Sequence, residues 1–185
     1  MYNIKLNNKV VSFTPGNRVI DLIDKNEVKQ YMVCKIDQTI KELTYPLSER
    51  HQNSEITLLT LEHKEAGRAY EATLRYIISM AFSNLYPEID IKFNYNVSRS
   101  IFCEILTKGI KITKITDEIL NEVSRIINLD LPIERLTLTV KEAIEIYKEL
   151  RHDDKLNILE YRPDKIVHLY KCDNYYDYMH AYMLP

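Results

Sequence analysis

The hydrophobic pattern switches repeatedly along the chain between the period of strands and that of helices, and that alternation limits the folds open to it. Through the first sixty residues the apolar positions alternate, as in strands with one buried face. Tyr2, Ile4 and Leu6 fall on one side, Asn7-Asn8 makes a turn, and Val10-Val11-Ser12-Phe13 returns, which predicts a β-hairpin. Thr14-Pro15-Gly16-Asn17 breaks the pattern, and Asn17 stands where it would cap a short helix carrying Val19, Ile20, Leu22 and Ile23. Strand patterns follow at 31–36, with a turn at Asp37-Gln38, and at 55–60, after Leu43 to Pro46 and a polar loop. A hairpin, a short helix and further strands make a small α+β unit over residues 1–61.

The period then lengthens. Residues 62–67 form a polar bridge with Gly67, read as a linker, and the second domain is expected to span 68–185. From Arg68 to Tyr86, Leu74, Ile77, Ile78, Ala81, Phe82 and Leu85 recur at helical spacing until Pro87 ends the run. Alternation comes back at 89–97 and 100–106, joined through 96–99 as a hairpin. Thr116 is placed to cap a helix with Ile119, Leu120, Val123, Ile126 and Ile127 in its stripe, ended by Leu131-Pro132. A short strand at 136–138 leads to Thr139 and Glu142 at capping-box spacing, opening a helix with Val140, Ala143, Ile144 and Tyr147 on one face. His152-Asp153-Asp154 stops that helix, 156–159 gives another helical turn, and strand pattern returns at Lys165. The fold class is α+β: a small mixed sheet followed by a two-layer α/β sandwich.

Charge and cysteines exclude several roles. A net charge of -2 gives no overall attraction to nucleic acid or anionic lipid, so an RNA contact needs a local basic face. Lys108 to Lys114 is an interspersed basic run, read first as a strand edge. Cys34, Cys103 and Cys172 are an odd, scattered set that suits a reducing compartment. With no apolar run of membrane-spanning length, a cytoplasmic location is expected. Only Gly16, Gly67 and Gly109 occur, so no Gly-x-x-x-x-Gly-Lys-Ser/Thr phosphate loop exists and no phosphoryl transfer is expected of this chain alone.

Chemistry-bearing residues gather at the end. IVHLYKCDNYYDYMHAYMLP, residues 166–185, holds His168, Cys172, His180 and five tyrosines. On a strand, His168 and Cys172 share a face but stand roughly 13 Å apart, too far to hold one ion directly. A zinc site completed by His180 or Cys103 lacks a recognised ligand spacing, so no metal is assigned. Tyrosines in such a tract either stack a base or sit half buried with their hydroxyls in water, the second being the more common. His51 and His63 lie in polar loops and carry no assigned role.

Three resemblances organise these observations. VVSFTPGNRVIDLI, MVCKIDQTIKELTYPLS and SEITLLT together resemble the TGS domain, a β-grasp (ubiquitin-like) module of threonyl-tRNA synthetases, certain GTPases and a stringent-response synthetase. Asp37-Gln38 departs from it, since the family usually has a glycine turn there. The stretch from the helix ending Asn84-Leu85-Tyr86-Pro87 through the helix Val140 to Tyr147 resembles the second additional domain of threonyl-tRNA synthetase, which hydrolyses mischarged seryl-tRNA. The tail 169–178 with Tyr182 to Pro185 is similar to a bacterial uridine kinase-like (nucleoside kinase) family, in which the two synthetase-like domains precede a P-loop kinase domain.

The resemblance implies an editing-type pocket with a helix-borne His-x-x-x-His pair and a later Cys-x-x-x-His. Here the pair falls on Ala72 and Tyr76, the cysteine on Cys172 and the last histidine on Tyr176, with His168 nearby. A phenol, with its ordinary pKa near about 10, is a poor base at neutral pH. The expectation is therefore a non-catalytic regulatory, ligand- or RNA-binding region, whose partners are a C-terminal kinase domain of the same polypeptide and tRNA or a nucleoside or nucleotide. ATP and magnesium are expected only for the kinase domain, and the natural protein is expected to continue past Pro185. The alternative is an editing hydrolase acting on mischarged tRNA through Cys172.

Overall fold

The computed structural model describes residues 1–98, 100–150, 155, 156, 159, 163 and 165–185. It is mixed α+β, with three α-helices and three sheets among those residues. The chain divides into two compact units, residues 1–130 with 180–185, and residues 131–179.

The first unit opens with β1 (Tyr2–Leu6) and β2 (Lys9–Phe13), an antiparallel hairpin in register from Tyr2↔Phe13 to Leu6↔Lys9. Asn7 and Asn8 both take positive φ, 43° and 68°, as a tight two-residue hairpin turn requires. Gly16 at φ 98° follows Pro15 in a turn closed by Asn17 N–H donating to the Thr14 carbonyl at 3.0 Å. Asn17 does not cap the next element. Its side-chain oxygen accepts from the Thr14 amide and hydroxyl, and Arg18 is the N-cap of a 3₁₀ turn over Val19–Leu22.

β3 (Val33–Ile36), β4 (Thr39–Glu42) and β5 (Glu55–Leu59) complete a five-stranded sheet ordered β2-β1-β5-β3-β4, in which only β1 and β5 pair in parallel. β4 was not anticipated, because Lys41 and Glu42 interrupt the apolar alternation. Asp37 occupies the β3–β4 turn at φ 52°, the conformation that favours glycine. Its carboxylate accepts from the Glu55 amide at 3.0 Å and the Ser54 hydroxyl at 3.1 Å, local bonds that offset the strain. Ile4, Leu6, Phe13, Val19, Ile36, Leu43, Leu47 and Ile56 form the core under this sheet.

α1 runs Lys64–Leu85, so residues 64–67 of the expected linker form its first turn. Its buried face is Ala66, Ala69, Ala72, Thr73, Tyr76, Met80, Ala81 and Phe82, whereas Leu74, Ile77 and Ile78 are only half buried and Leu85 is exposed. Alanines win the inner positions because they let the helix backbone come close: Ala66 and Ala69 pack directly on Val33 and Leu59 of the sheet. Tyr182 and Leu184 pack against the same cluster, and Met183 is buried.

β6 (Ile91–Val97) and β7 (Ser100–Ile105) form a separate two-stranded hairpin with Tyr95 and Phe102 stacked at 5.3 Å. α2 is Ile112–Leu129, starting four residues before the expected cap. Lys111 is its N-cap, and the Thr116 hydroxyl donates back to the Ile112 carbonyl inside the helix. The run Lys108 to Lys114 is therefore a turn at Gly109 and the opening of α2, and the strand edge expected there does not form. Gly109, at φ 85°, supplies that turn, and nothing after it breaks a helix. Ile119, Glu122 and Ile126 are buried, while Leu120 and Ile127 of the expected stripe are exposed. Glu122 is tied to Asn84 of α1 at 2.8 Å and bidentately to Arg125 at 2.7 Å, which holds its carboxyl below the usual range.

The second unit is a three-stranded antiparallel sheet ordered β10-β9-β8, with β8 (Glu134–Thr139), β9 (Ile166–Cys172) and β10 (Tyr175–Asp177). α3 (Val140–Glu149) covers one face, with Ala143 and Tyr147 packed on Val167 and Leu169. The expected capping box forms: the Glu142 amide donates to Thr139 Oγ1 at 3.3 Å, and the Thr139 amide donates to Glu142 Oε2 at 2.7 Å. The helix stop at 152–154 and residues 157 and 158 of the expected turn at 156–159 lie outside the described residues, while Leu156 and Leu159 are helical and pack in the same core.

Candidate functional site

β9 carries His168, Tyr170 and Cys172 on one face, and Val167 and Leu169 on the face that α3 covers. Tyr170 and Cys172 are buried. Burial pushes the Cys172 thiol up from its ordinary pKa, and the charge of Asp173 adds to the effect. A raised thiol is protonated at neutral pH, and the protonated form is neither nucleophile nor base. His168 is joined to Thr137 of β8, with Nδ1 3.1 Å from the hydroxyl oxygen.

The β9–β10 turn is tight, with Asp173 at φ 53°, and it decides which tyrosine accompanies the cysteine. Cys172 pairs with Tyr175, while Tyr176 pairs with Lys171. Tyr176 thus projects to the face opposite Cys172, its ring 5.7 Å from the Lys171 ammonium. The residue at the position of the last editing-type histidine does not share a pocket wall with the cysteine. Its neighbour Tyr175 shares the cysteine's face and donates from its hydroxyl to Asp177 at 2.9 Å.

Ala72 and Tyr76 belong to the first unit. They lie one turn apart on the buried face of α1, with Tyr76 entirely buried. Among the described residues no three His, Cys, Asp or Glu side chains gather as a metal site. Cys34, Cys103 and Cys172 are all free thiols.

The sequence reading passed over a second constellation. A cleft of about 350 Å³ beside β3 and β4 is lined by Ile36, Asp37, Thr39, Lys41, Tyr45, Arg50, His51 and Ser54. Lys41 Nζ lies 5.0 Å from the centre of the Tyr45 ring, and Arg50 donates to the Tyr45 hydroxyl at 2.5 Å. His51 meets the same ring edge-on at 5.8 Å. It is buried, with its pKa lowered by burial first and by the Arg50 and Lys41 charges as well, against opposing pulls from the Ser48 backbone and Asp37. Its Nδ1 lies 2.9 Å from the Ser48 amide and 3.2 Å from the Ser48 carbonyl, so the ring is fixed against the start of its own turn. The signal available in sequence was Ser48 and His51 at capping-box spacing, which a loop reading discards.

No family model matches the chain. Its full length is 26% identical to a threonine-tRNA ligase of Clostridium tetani, covering 29% of that protein. Two threonine-tRNA ligases of Clostridium botulinum, from strains Okra and Loch Maree, are 26% and 25% identical over 91% of the chain and 27% of their own length. The chain is thus distantly similar to the N-terminal region of threonine-tRNA ligases and spans less than a third of the relatives it matches. No helix among the described residues is long and apolar enough to cross a membrane.

Proposed function

We propose that the chain is a non-catalytic, ligand- or RNA-binding region of a larger cytoplasmic protein, made of a TGS-type β-grasp module and an editing-type α+β domain that has lost its chemistry. The observation that carries this reading is the state of Cys172: a buried thiol with raised pKa, with Tyr176 turned to the opposite sheet face. Ester hydrolysis of the editing kind needs a group that takes a proton from water near neutral pH, and neither a protonated thiol nor a phenol does so. The positions that resemblance gives to the other imidazoles hold Ala72 and Tyr76, both buried. Similarity to the N-terminal region of the ligases supports the ancestry. The uridine kinase-like parent, with its own ATP and magnesium site, rests on the resemblance of residues 169–178 and Tyr182 to Pro185 alone.

Incubating the chain with seryl-tRNA tests the central claim. Release of serine at the buffer rate is expected, while deacylation that disappears in Cys172→Ala would establish the hydrolase instead. The parent is checked by reading the gene beyond the Pro185 codon, where a phosphate loop in the same frame is expected.

A further inference from the structure

The cleft beside β3 and β4 holds two cations, Lys41 and Arg50, and one carboxylate, Asp37. Lys41 and Arg50 both bear on Tyr45, yet among the described residues neither stands within ion-pair distance of a carboxylate. Asp37 is the only carboxylate in the lining; its two oxygens accept from the Ser54 hydroxyl and the Glu55 amide, and it pairs with neither cation, so the wall keeps an excess of one positive charge. Bringing like charges to one ring costs free energy unless an anion comes between them. Arg50 is held in place by the Tyr45 hydroxyl, so part of its ordering is already complete before any ligand arrives.

The rest of the wall narrows the anion. Beside the ammonium and the guanidinium, Thr39 lines the cleft with a hydroxyl and His51 with an imidazole. A phosphate monoester, with three acceptor oxygens and nearly two charges, matches a donor-rich wall better than a carboxylate does. Ile36 and Tyr45 add apolar surface for a carbon skeleton. At about 350 Å³ the cleft lies at the small end of ligand pockets, which run from about 300 to 1,000 Å³. We infer that this cleft binds a small phosphate monoester of mononucleotide size, its phosphate between Lys41 and Arg50. The inference concerns the first unit alone and stands whether or not Cys172 is inert.

Titration of the 185-residue chain with adenosine 5′-monophosphate, inorganic phosphate and adenosine, followed by amide chemical shifts, tests it. The monophosphate should saturate in the millimolar range or below, moving the amides of Thr39, Lys41 and His51, with adenosine at least about tenfold weaker. Lys41→Ala and Arg50→Ala should each weaken the monophosphate by about tenfold without changing the melting curve, and Tyr45→Phe, which keeps the ring and releases Arg50, should weaken it severalfold. Adenosine binding as tightly as its monophosphate, or the double variant Lys41→Ala/Arg50→Ala binding like the parent, would overturn the inference. So would failure of both the monophosphate and inorganic phosphate to bind. A short oligoribonucleotide that moves the same amides and is not displaced by the monophosphate would also overturn it, making the cleft an RNA backbone site.

Discussion

The Met183 amide donates to Oε1 of Glu42 at 3.2 Å, a bond between residues 141 apart in sequence. The next amide, that of Leu184, donates to Thr73 Oγ1 at 2.9 Å. These bonds fasten the end of the chain to β4 and to α1 within the first unit, with the Met183 side chain buried between.

Loosening this strap is expected to lower stability without touching either sheet's register. Thr73→Val leaves the Leu184 amide without its acceptor and should cost about 1–3 kcal/mol. Met183→Ala empties a closed site and should cost about 2–5 kcal/mol. Urea denaturation at neutral pH measures both, and values within about 0.5 kcal/mol of the parent would show the strap to be superficial.

Alkaline pH should act on the core of the first sheet. Burial pushes the Cys34 thiol up to about 12, from an ordinary value of 9.0. An acid whose folded pKa is raised is protonated in the folded state while the unfolded chain releases its proton. Its stabilising effect is complete below the ordinary value and is lost as pH rises through the window between the two, at up to about 1.4 kcal/mol per pH unit. Stability measured from pH 8 upward should fall less steeply in Cys34→Ala than in the parent, and parallel slopes would refute this.

Acid should act on α3. The Thr139 backbone amide first, and then its hydroxyl, hold the Glu142 carboxyl below its usual pKa. A depressed carboxyl stabilises above its unfolded pKa, and that contribution disappears as pH falls through the lower, folded value. Thr139→Ala should cost about 1 kcal/mol at neutral pH and flatten the acid limb of the stability curve. An acid limb identical to that of the parent would remove the box from the explanation.

Placing a histidine at position 72 should not create hydrolysis. Ala72 is 6% exposed on the inner face of α1, so Ala72→His crowds a closed space and should cost about 1–3 kcal/mol. Seryl-tRNA should still decay at the buffer rate in the presence of this variant, as with the parent. Turnover rising above the blank would show that a dormant site had been one imidazole short.

Much of the secondary structure was legible because it is local. The Asn7-Asn8 turn, the Thr139–Glu142 box and the β9 alternation each follow from residues within one turn or strand of one another. Misreadings occurred where a distant partner decided. Leu74 and Ile78 look like the buried stripe of α1, but Val33 and Leu59 required alanines at closest approach, and the inner face went to Ala66, Ala69 and Ala72. Asn17 looks like a cap, yet Thr14 takes its side-chain oxygen.

For the candidate sites the division has the same physical basis. Residue identity alone showed that Ala72, Tyr76 and Tyr176 cannot do what imidazoles do, since side-chain pKa is a property of the group before it is one of the fold. Only tertiary structure placed Tyr176 on the sheet face opposite Cys172 and raised the thiol, because both depend on pairing register and burial. The gathering of Lys41, Tyr45, Arg50 and His51 around one cleft likewise depends on β4, which the sequence pattern does not announce, and on the loop that leaves it. Through-space charge and hydrogen bonding act over a few ångströms, and only the folded chain decides which residues come that close.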